Sequence, residues 1–257
     1  FRVAVSSILF ILLSAAMRDP HWARAPLKDY LILLASGVIA IAISDTLFHM
    51  CLNRVGAGLN AIIDCLYSPS VIFFAWLLVG ERLGAWDFAG MAAVLGAILI
   101  ASRHRPPAGI TRRTFAAGIV YGVLAMFTLG LGIVIAKPVL DRSPVLWATA
   151  VRQIGCFVAM LPVAVLTPMR RATFSHFRPA SSWKFMLPGT ILGSFLALIL
   201  WIAGMKYTQA SIAAILNQTS TIHIIVFAAI FLGEPMTRRK IGAAALAVAG
   251  ILMVILL

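Results

Sequence analysis

The sequence predicts an all-helical protein that crosses a membrane many times, and three observations carry that prediction. Hydrophobic residues fill 62% of the 257 positions, charged residues only 11%, and the mean hydropathy is +1.02, whereas a soluble domain is about 45–50% apolar and about 25% charged. The apolar residues gather in charge-poor runs of about bilayer length. Only short links separate the runs, which leaves no room for a catalytic, nucleic-acid-binding or nucleotide-hydrolysing module.

The runs are bounded by ionisable groups, because such a group in hydrocarbon costs about 2.5–3.5 kcal/mol even on the lenient insertion scale. Val3–Met17 comes first, followed by the polar link Arg18–Asp29. Tyr30–Leu52 is broken only by Asp45 and Val55–Gly80 only by Asp64, and Leu83–Ser102 follows the Glu81-Arg82 turn. A basic link, Arg103–Arg113, leads to Thr114–Ala136, then Pro144–Met169 with Arg152 inside it, Phe185–Met205, Tyr207–Gly233 and Ile241–Leu257. These nine runs read as helices, since barrel strands are about 10 residues of alternating polarity.

The excess of 21 Lys and Arg over 8 Asp and Glu reads as loops that face anionic lipid, not as a nucleic-acid surface. Cys51, Cys65 and Cys156 lie in apolar runs without CxxC spacing, so they are expected to be small buried hydrophobes and neither a disulfide frame nor a metal site. The chain opens on Phe1 within an apolar run, with no basic leader and no small-residue cleavage site. No signal peptide is legible, and the natural N-terminus is expected to lie upstream.

An internal repeat is visible. Setting Gly80-Glu81 over Gly233-Glu234 fixes an offset of 153, and Ala57/Ala210, Ala61/Ala214, Ile62/Ile215, Ile72/Ile225, Phe74/Phe227 and Ala75/Ala228 then match without a gap. Asp64 falls on Asn217, Tyr67 on Ser220, Ser68 on Thr221 and Phe48 on Trp201, while a shift of 150 puts Arg2 on Arg152. The first copy has four runs and the second five, so one helix is expected before Phe1. The division is 1–102 for the first repeat, 103–113 for the basic linker and 114–257 for the second repeat.

Two such halves, with Gly80-Glu81-Arg82 closing the segment Leu77–Arg82 and Phe231–Thr237 reading FLGEPMT, resemble the drug/metabolite transporter superfamily, specifically its EamA-like branch. The Arg that opens the second helix of each half (Arg2, Arg152) and Pro69 in the fourth helix belong to the same resemblance. It implies a ten-helix fold of two inverted five-helix repeats, with the first helix missing from this chain and nine present, and a substrate path through a central cavity between the repeats. Inversion itself follows from an odd number of spans per repeat. The chain departs from the family pattern in that missing helix and in Ile222, which stands where a second proline would match Pro69.

The sequence holds no GxxxxGK, HExxH, GxSxG or GxGD motif and no cluster of metal ligands, so neither enzyme chemistry nor a cofactor is expected. The informative residues are polar ones at membrane depth, because each needs a partner or a water-filled cavity. Asn60, Asp64, Tyr67 and Ser68 recur at i, i+4, i+7 and i+8 on one helix face. The copy carries Asn217, Ser220 and Thr221, with Gln218 beside them. The two stripes are expected to face a shared substrate site, although small polar groups also glue helices together. A carboxyl as deep as Asp64 either keeps its proton or meets a cation.

Asp45 and His49, spaced i, i+4, suit a proton relay with Asp64 through a carboxylate–imidazole hydrogen bond, or equally a structural interfacial pair. His223 is either a site residue or a satisfied interhelical donor. Tyr121 and Trp201 are candidate pocket walls, with packing as the alternative. Arg152, about 12 Å into the bilayer at 1.5 Å per residue, is read as structural together with Arg2, as is Pro69. Glu81 and Glu234 are expected to offset the positive dipole end of the helix each one precedes. Gly118, Gly122, Gly130 and Gly132 allow close helix approach or bending.

The function expected is a secondary transporter or facilitated exporter of small metabolites or drugs in a bacterial inner membrane, with proton coupling left open. A membrane-embedded enzyme acting on lipid and a non-transporting sensor or scaffold are the alternatives. The partners expected are a small-molecule substrate and the lipid bilayer, with a homodimer open and nucleic acid excluded. Seven Lys and Arg fall on the side of the Arg18–Asp29 link and thirteen opposite it. The positive-inside rule therefore makes Arg103–Arg113 cytoplasmic, whereas the family resemblance implies the other side.

Overall fold

The computed structural model describes residues 1–17, 20–80, 84–102, 109–166, 177, 181–207 and 210–256, apart from the side chains of residues 79, 87, 102, 205, 210–219, 222 and 254–256. Helices account for nearly all of them, and no strand occurs among the described residues. Five helical stretches there are long and apolar enough to cross a bilayer: Leu27–Val55, Ala57–Leu78, Arg112–Arg142, Val145–Leu166 and Trp183–Gly204. Arg2–Ala16, Phe88–Ala101 and His223–Leu232 are shorter apolar helices. Leu12, Leu99, Phe185 and Phe231 stand exposed, as side chains that face lipid in place of water do.

In chain order the helices are α1 (Arg2–Ala16), α2 (His21–Arg24), α3 (Leu27–Gly37), α4 (Ser44–Val55), α5 (Ala57–Asp64), α6 (Tyr67–Val79), α7 (Ala85–Ser102), α8 (Arg112–Arg142), α9 (Val145–Leu166), α10 (Trp183–Thr190), α11 (Ala197–Tyr207), α12 (Ala210–Leu232) and α13 (Arg238–Leu256). A π-helical segment, Val38–Ile43, joins α3 to α4, and another, Ile191–Leu196, joins α10 to α11. The two segments are of equal length and lie 153 positions apart, which is the offset read from the sequence repeat.

Three boundaries differ from the charge-bounded runs. The link Arg18–Asp29 contains the helix α2, and Asp29 itself sits buried in the first turn of α3. Helix α8 continues through Pro138 to Arg142, beyond the apolar run, because helical hydrogen bonding does not stop where hydrophobicity does. The run Val55–Gly80 is not one helix. It breaks at Cys65–Leu66, where the N–H groups of Cys65 and Leu66 donate to Ile62 and Ile63 three residues back, at 3.3 and 2.9 Å. Pro69 explains the position, since it lacks an N–H to give to the Cys65 carbonyl and its ring crowds that turn.

The described residues form two compact bodies, each drawing on both sequence halves: 1–42 with 135–208, and 43–134 with 209–257. In the first, α9 packs on α1 and α3 around fully buried Trp147, with Leu33, Ala136, Val139 and Val151 against it. Backbones come close there. A Cβ on Gly155 would lie 2.5 Å from the Leu34 carbonyl oxygen and 2.9 Å from its Cα.

In the second body α7 packs most extensively on α13; a Cβ on Gly250 would lie 2.7 Å from the Gly90 carbonyl oxygen and 2.8 Å from the Ala93 Cβ, and Ala97, Ala101, Ala243 and Ala247 on the same two helices are buried. Lipid is as apolar as a leucine side chain, so small residues that let backbones approach, and not hydrophobicity, hold such pairs together.

Candidate functional site

The second body holds most of the polar residues singled out by the sequence. Asn60 and Ser68 are buried, as is Tyr67, and Asp64 is half-buried as the last residue of α5. Immediately after Asp64, Cys65 Sγ comes to 3.5 Å from Oγ1 of Thr221 on α12. Thr221 is 1% exposed, so this contact is sealed. Helix α5 packs on α12, and this contact lies one residue beyond the stripe's Asp64, at the interruption between α5 and α6. Ser70 reinforces the restart of the helix: both its N–H, at 2.9 Å, and its hydroxyl, at 2.7 Å, donate to the Leu66 carbonyl.

Around this point the sequence-selected residues fall variously. The side chains of Asn217 and Gln218 lie outside those described, as does Glu81 entirely. Ser220 is half-buried and His223 exposed, its ring 6.3 Å from that of Phe227 on the same helix. Tyr121 is half-buried beneath the Arg54 guanidinium, whose carbon is 5.1 Å from the ring centre, a cation–π contact that the spacing of single runs could not reveal. Trp201 belongs to the other body.

His49 is exposed, and its Nδ1 is 2.6 Å from the Asp45 main-chain carbonyl. A carbonyl only accepts, so Nδ1 carries the proton and donates it. At the start of α4 the hydroxyl of buried Ser44 donates to the Ala125 carbonyl of α8 at 2.8 Å. That close approach passes over glycine: a Cβ on Gly122 would lie 2.7 Å from Cys51 Sγ. In the first body Arg152 is 2% exposed and Arg2 half-buried.

Glu234 behaves differently from the expectation that it serves the helix it precedes. Its carboxylate accepts hydrogen bonds from the Ala57 and Gly58 N–H groups, at 2.6 and 3.0 Å, and from Lys240 Nζ at 2.6 Å. It therefore caps α5, whose residues lie 177 positions away. The FLGEPMT motif supplies the geometry. Gly233 takes φ 65° and ends α12, the Glu234 N–H returns to the Ala228 carbonyl at 3.1 Å, and Thr237 Oγ1 accepts from the Lys240 N–H to start α13. Glycine supplies the positive φ that a helix end of this kind requires. Between those two ends the Glu234 side chain is released toward α5, where Gly56 (φ 83°) and Gly58 leave room for it.

Partial burial works to raise the Glu234 pKa, but Lys240 and the two helix N–H groups outweigh it and hold the carboxyl below its ordinary value. A lowered native pKa means stability that is present above the unfolded value, about 4.3, and lost as pH falls through the native one. Glu234→Gln is therefore expected to lower the Tm in detergent by about 2–4 °C at pH 7, the effect of roughly one lost cap in a chain of this size. A pH series checks the sign: the difference from wild type is full above the ordinary glutamate value, about 4.3, and shrinks progressively as pH falls below it.

The sequence reading also passed over the ion pair between Asp29 and Arg142, at 2.6 Å, because the two are 113 residues apart. Among the described residues no group of three or more His, Cys, Asp or Glu could hold a metal ion.

Comparison with known proteins fits this arrangement. The model of the EamA-like transporter family matches residues 1–103 and 116–256. A protein of Archaeoglobus fulgidus named as an uncharacterized transporter is 23% identical over 99% of this chain and 86% of its own length. The riboflavin transporter ImpX of Fusobacterium nucleatum is 24% identical over 71% of this chain and 61% of its own. One chain of a solved crystal structure superposes with TM-score 0.63 at 15% identity, covering 98% of this chain and 85% of that one; the likeness speaks for the fold alone.

Proposed function

We propose that this chain, which belongs to the EamA-like transporter family and is a multi-pass membrane transporter, works as a secondary transporter or facilitated exporter of small metabolites or drugs in a bacterial inner membrane. Substrate passes the Asn60–Asp64–Ser68 stripe where it meets α12, and Asp64 exchanges the coupling proton or a substrate cation. The observation that carries this reading is the interrupted helix beside Asp64, with Thr221 of the copied stripe closed against it.

Interrupted membrane helices recur at transporter binding sites because the negative ends of half-helices and unwound carbonyls favour cations there. Asp64 adds a carboxyl to the C-terminal end of such a half-helix, α5. Asn60 and Ser68 supply neutral hydrogen-bonding groups, a combination that suits a cation or a zwitterion as well as a polar neutral solute.

The test is flux into proteoliposomes with a panel of amino acids, nucleosides, aromatic drugs and riboflavin, the last because a relative is named for it. Saturable, substrate-dependent uptake is the expected result. No flux for any member, with correctly inserted protein, overturns the reading and returns the sensor or scaffold alternative; chemical change in the vesicle lipids returns the enzyme.

A further inference from the structure

We propose that the first body holds the headgroup of an anionic phospholipid in a basic pocket at the membrane surface, with the start of an acyl chain in an adjoining apolar pocket. The basic pocket encloses about 380 Å³ and is lined by His21, Arg24, Asp29, Arg142 and Ser143 together with Pro20, Ala25 and Pro26. The second, of about 410 Å³, is lined chiefly by Met17, Pro144, Val145, Leu146 and Tyr207. Both share Pro20 and His21, so they form one groove with a cationic end and an apolar end.

The charge at the cationic end is positive even after internal pairing. Asp29, the acid of the lining, is buried and already accepts from Arg142 at 2.6 Å. Arg142 remains more than half exposed and retains further N–H donors on its planar fork. Arg24 is exposed on α2, and Lys206 Nζ donates to the Ser143 carbonyl at 2.5 Å, at the wall of the same pocket. Among the described residues three full positive charges, Arg24, Arg142 and Lys206, thus stand against one negative charge, Asp29, an arrangement that fits a phosphodiester.

Depth selects the source of that phosphate. The groove lies where α3 and α9 begin and where α8 and α11 end, at the level where spans leave the hydrocarbon. Tyr30, Trp22 and Tyr207 cluster there, and such residues sit at the headgroup level of a bilayer. The groove is also braced. Tyr30 OH donates to the Trp22 carbonyl at 2.9 Å, Trp22 Nε1 donates to Ser14 Oγ at 2.7 Å, and the rings of His21 and Trp147 are 5.6 Å apart. A free phosphate would use only the basic pocket; a lipid uses both. The groove shares no residue with the Asn60–Thr221 stripe, so this inference stands apart from the transport reading.

Native mass spectrometry of the full chain, delipidated and then exposed to equal amounts of phosphatidylglycerol and phosphatidylcholine, tests it, with thermal shift in the same mixtures. Phosphatidylglycerol is expected to be retained at least about fivefold over phosphatidylcholine, and Arg24→Ala to lose about fivefold of that retention, as removal of one arginine near an anionic headgroup implies. Arg24→Lys keeps most of it, and Tyr207→Ala weakens both lipids alike. Among the described residues the Arg24 side chain makes no hydrogen bond or ion pair, so its variants report binding. Equal retention of the two lipids, or unchanged selectivity in Arg24→Ala, overturns the proposal. Inorganic phosphate that reproduces the full thermal shift overturns the lipid assignment as well.

Discussion

Gly155→Val is expected to cost about 3 kcal/mol or more, the upper range for overpacking against atoms that cannot move aside, and to lower the Tm by about 10 °C in a chain of this size. The obstacle is backbone. The Leu34 carbonyl oxygen and Cα stand within 3 Å of where even a first methyl would go, and on the same pair of helices a Cβ on Gly37 would run into the Arg152 carbonyl. Helices α3 and α9 therefore touch main chain to main chain at two glycines, one from each. Gly189→Ala serves as the control: a Cβ there meets nothing within 4 Å, and alanine favours helix. Thermal unfolding followed by detergent size exclusion separates the two. Equal Tm values would mean that the α3–α9 approach is looser than described.

Asp64→Asn is expected to abolish pH-driven accumulation while leaving substrate exchange intact. A pH difference of one unit stores about 1.4 kcal/mol per proton, so a one-proton carrier accumulates its substrate up to about tenfold. Asparagine is nearly the same size and hydrogen-bonds, but it cannot bind and release a proton. In proteoliposomes the variant should reach equal concentrations on both sides under a pH gradient, with counterflow of labelled substrate persisting. A structural Asp64 gives the opposite pattern, with lower yield and Tm and normal accumulation in the protein that survives; that result would move attention to Asp45 and His49.

How much of this was legible depended on distance along the chain. The spans could be read because charges mark their ends. The break at Cys65–Leu66 does not follow from Pro69 alone, since a proline inside α8 leaves that helix whole. Val38–Ile43 reads VIAIAI, uniformly apolar, so no period could betray its π geometry. Glu234 was misread because its sequence neighbours suggest a local role, while the donors it meets are at Ala57 and Gly58. The Asp29–Arg142 pair was hidden for the same reason, both residues having been placed in links. Local signals set the elements, and partners more than a hundred residues away set what their polar groups do.

A π-helical turn holds one residue more than the helix around it, and an extra residue turns everything beyond it by about 100°. The face that α4 presents, with Ser44, Asp45 and His49, is thus set by a single surplus residue in Val38–Ile43, and the face of α11 by its counterpart in Ile191–Leu196. The two segments stand 153 positions apart, so the same rotation enters the chain twice, between α3 and α4 and between α10 and α11. Losing one residue from either segment would therefore turn the helix beyond it by about 100° and change which of its faces meets its neighbours.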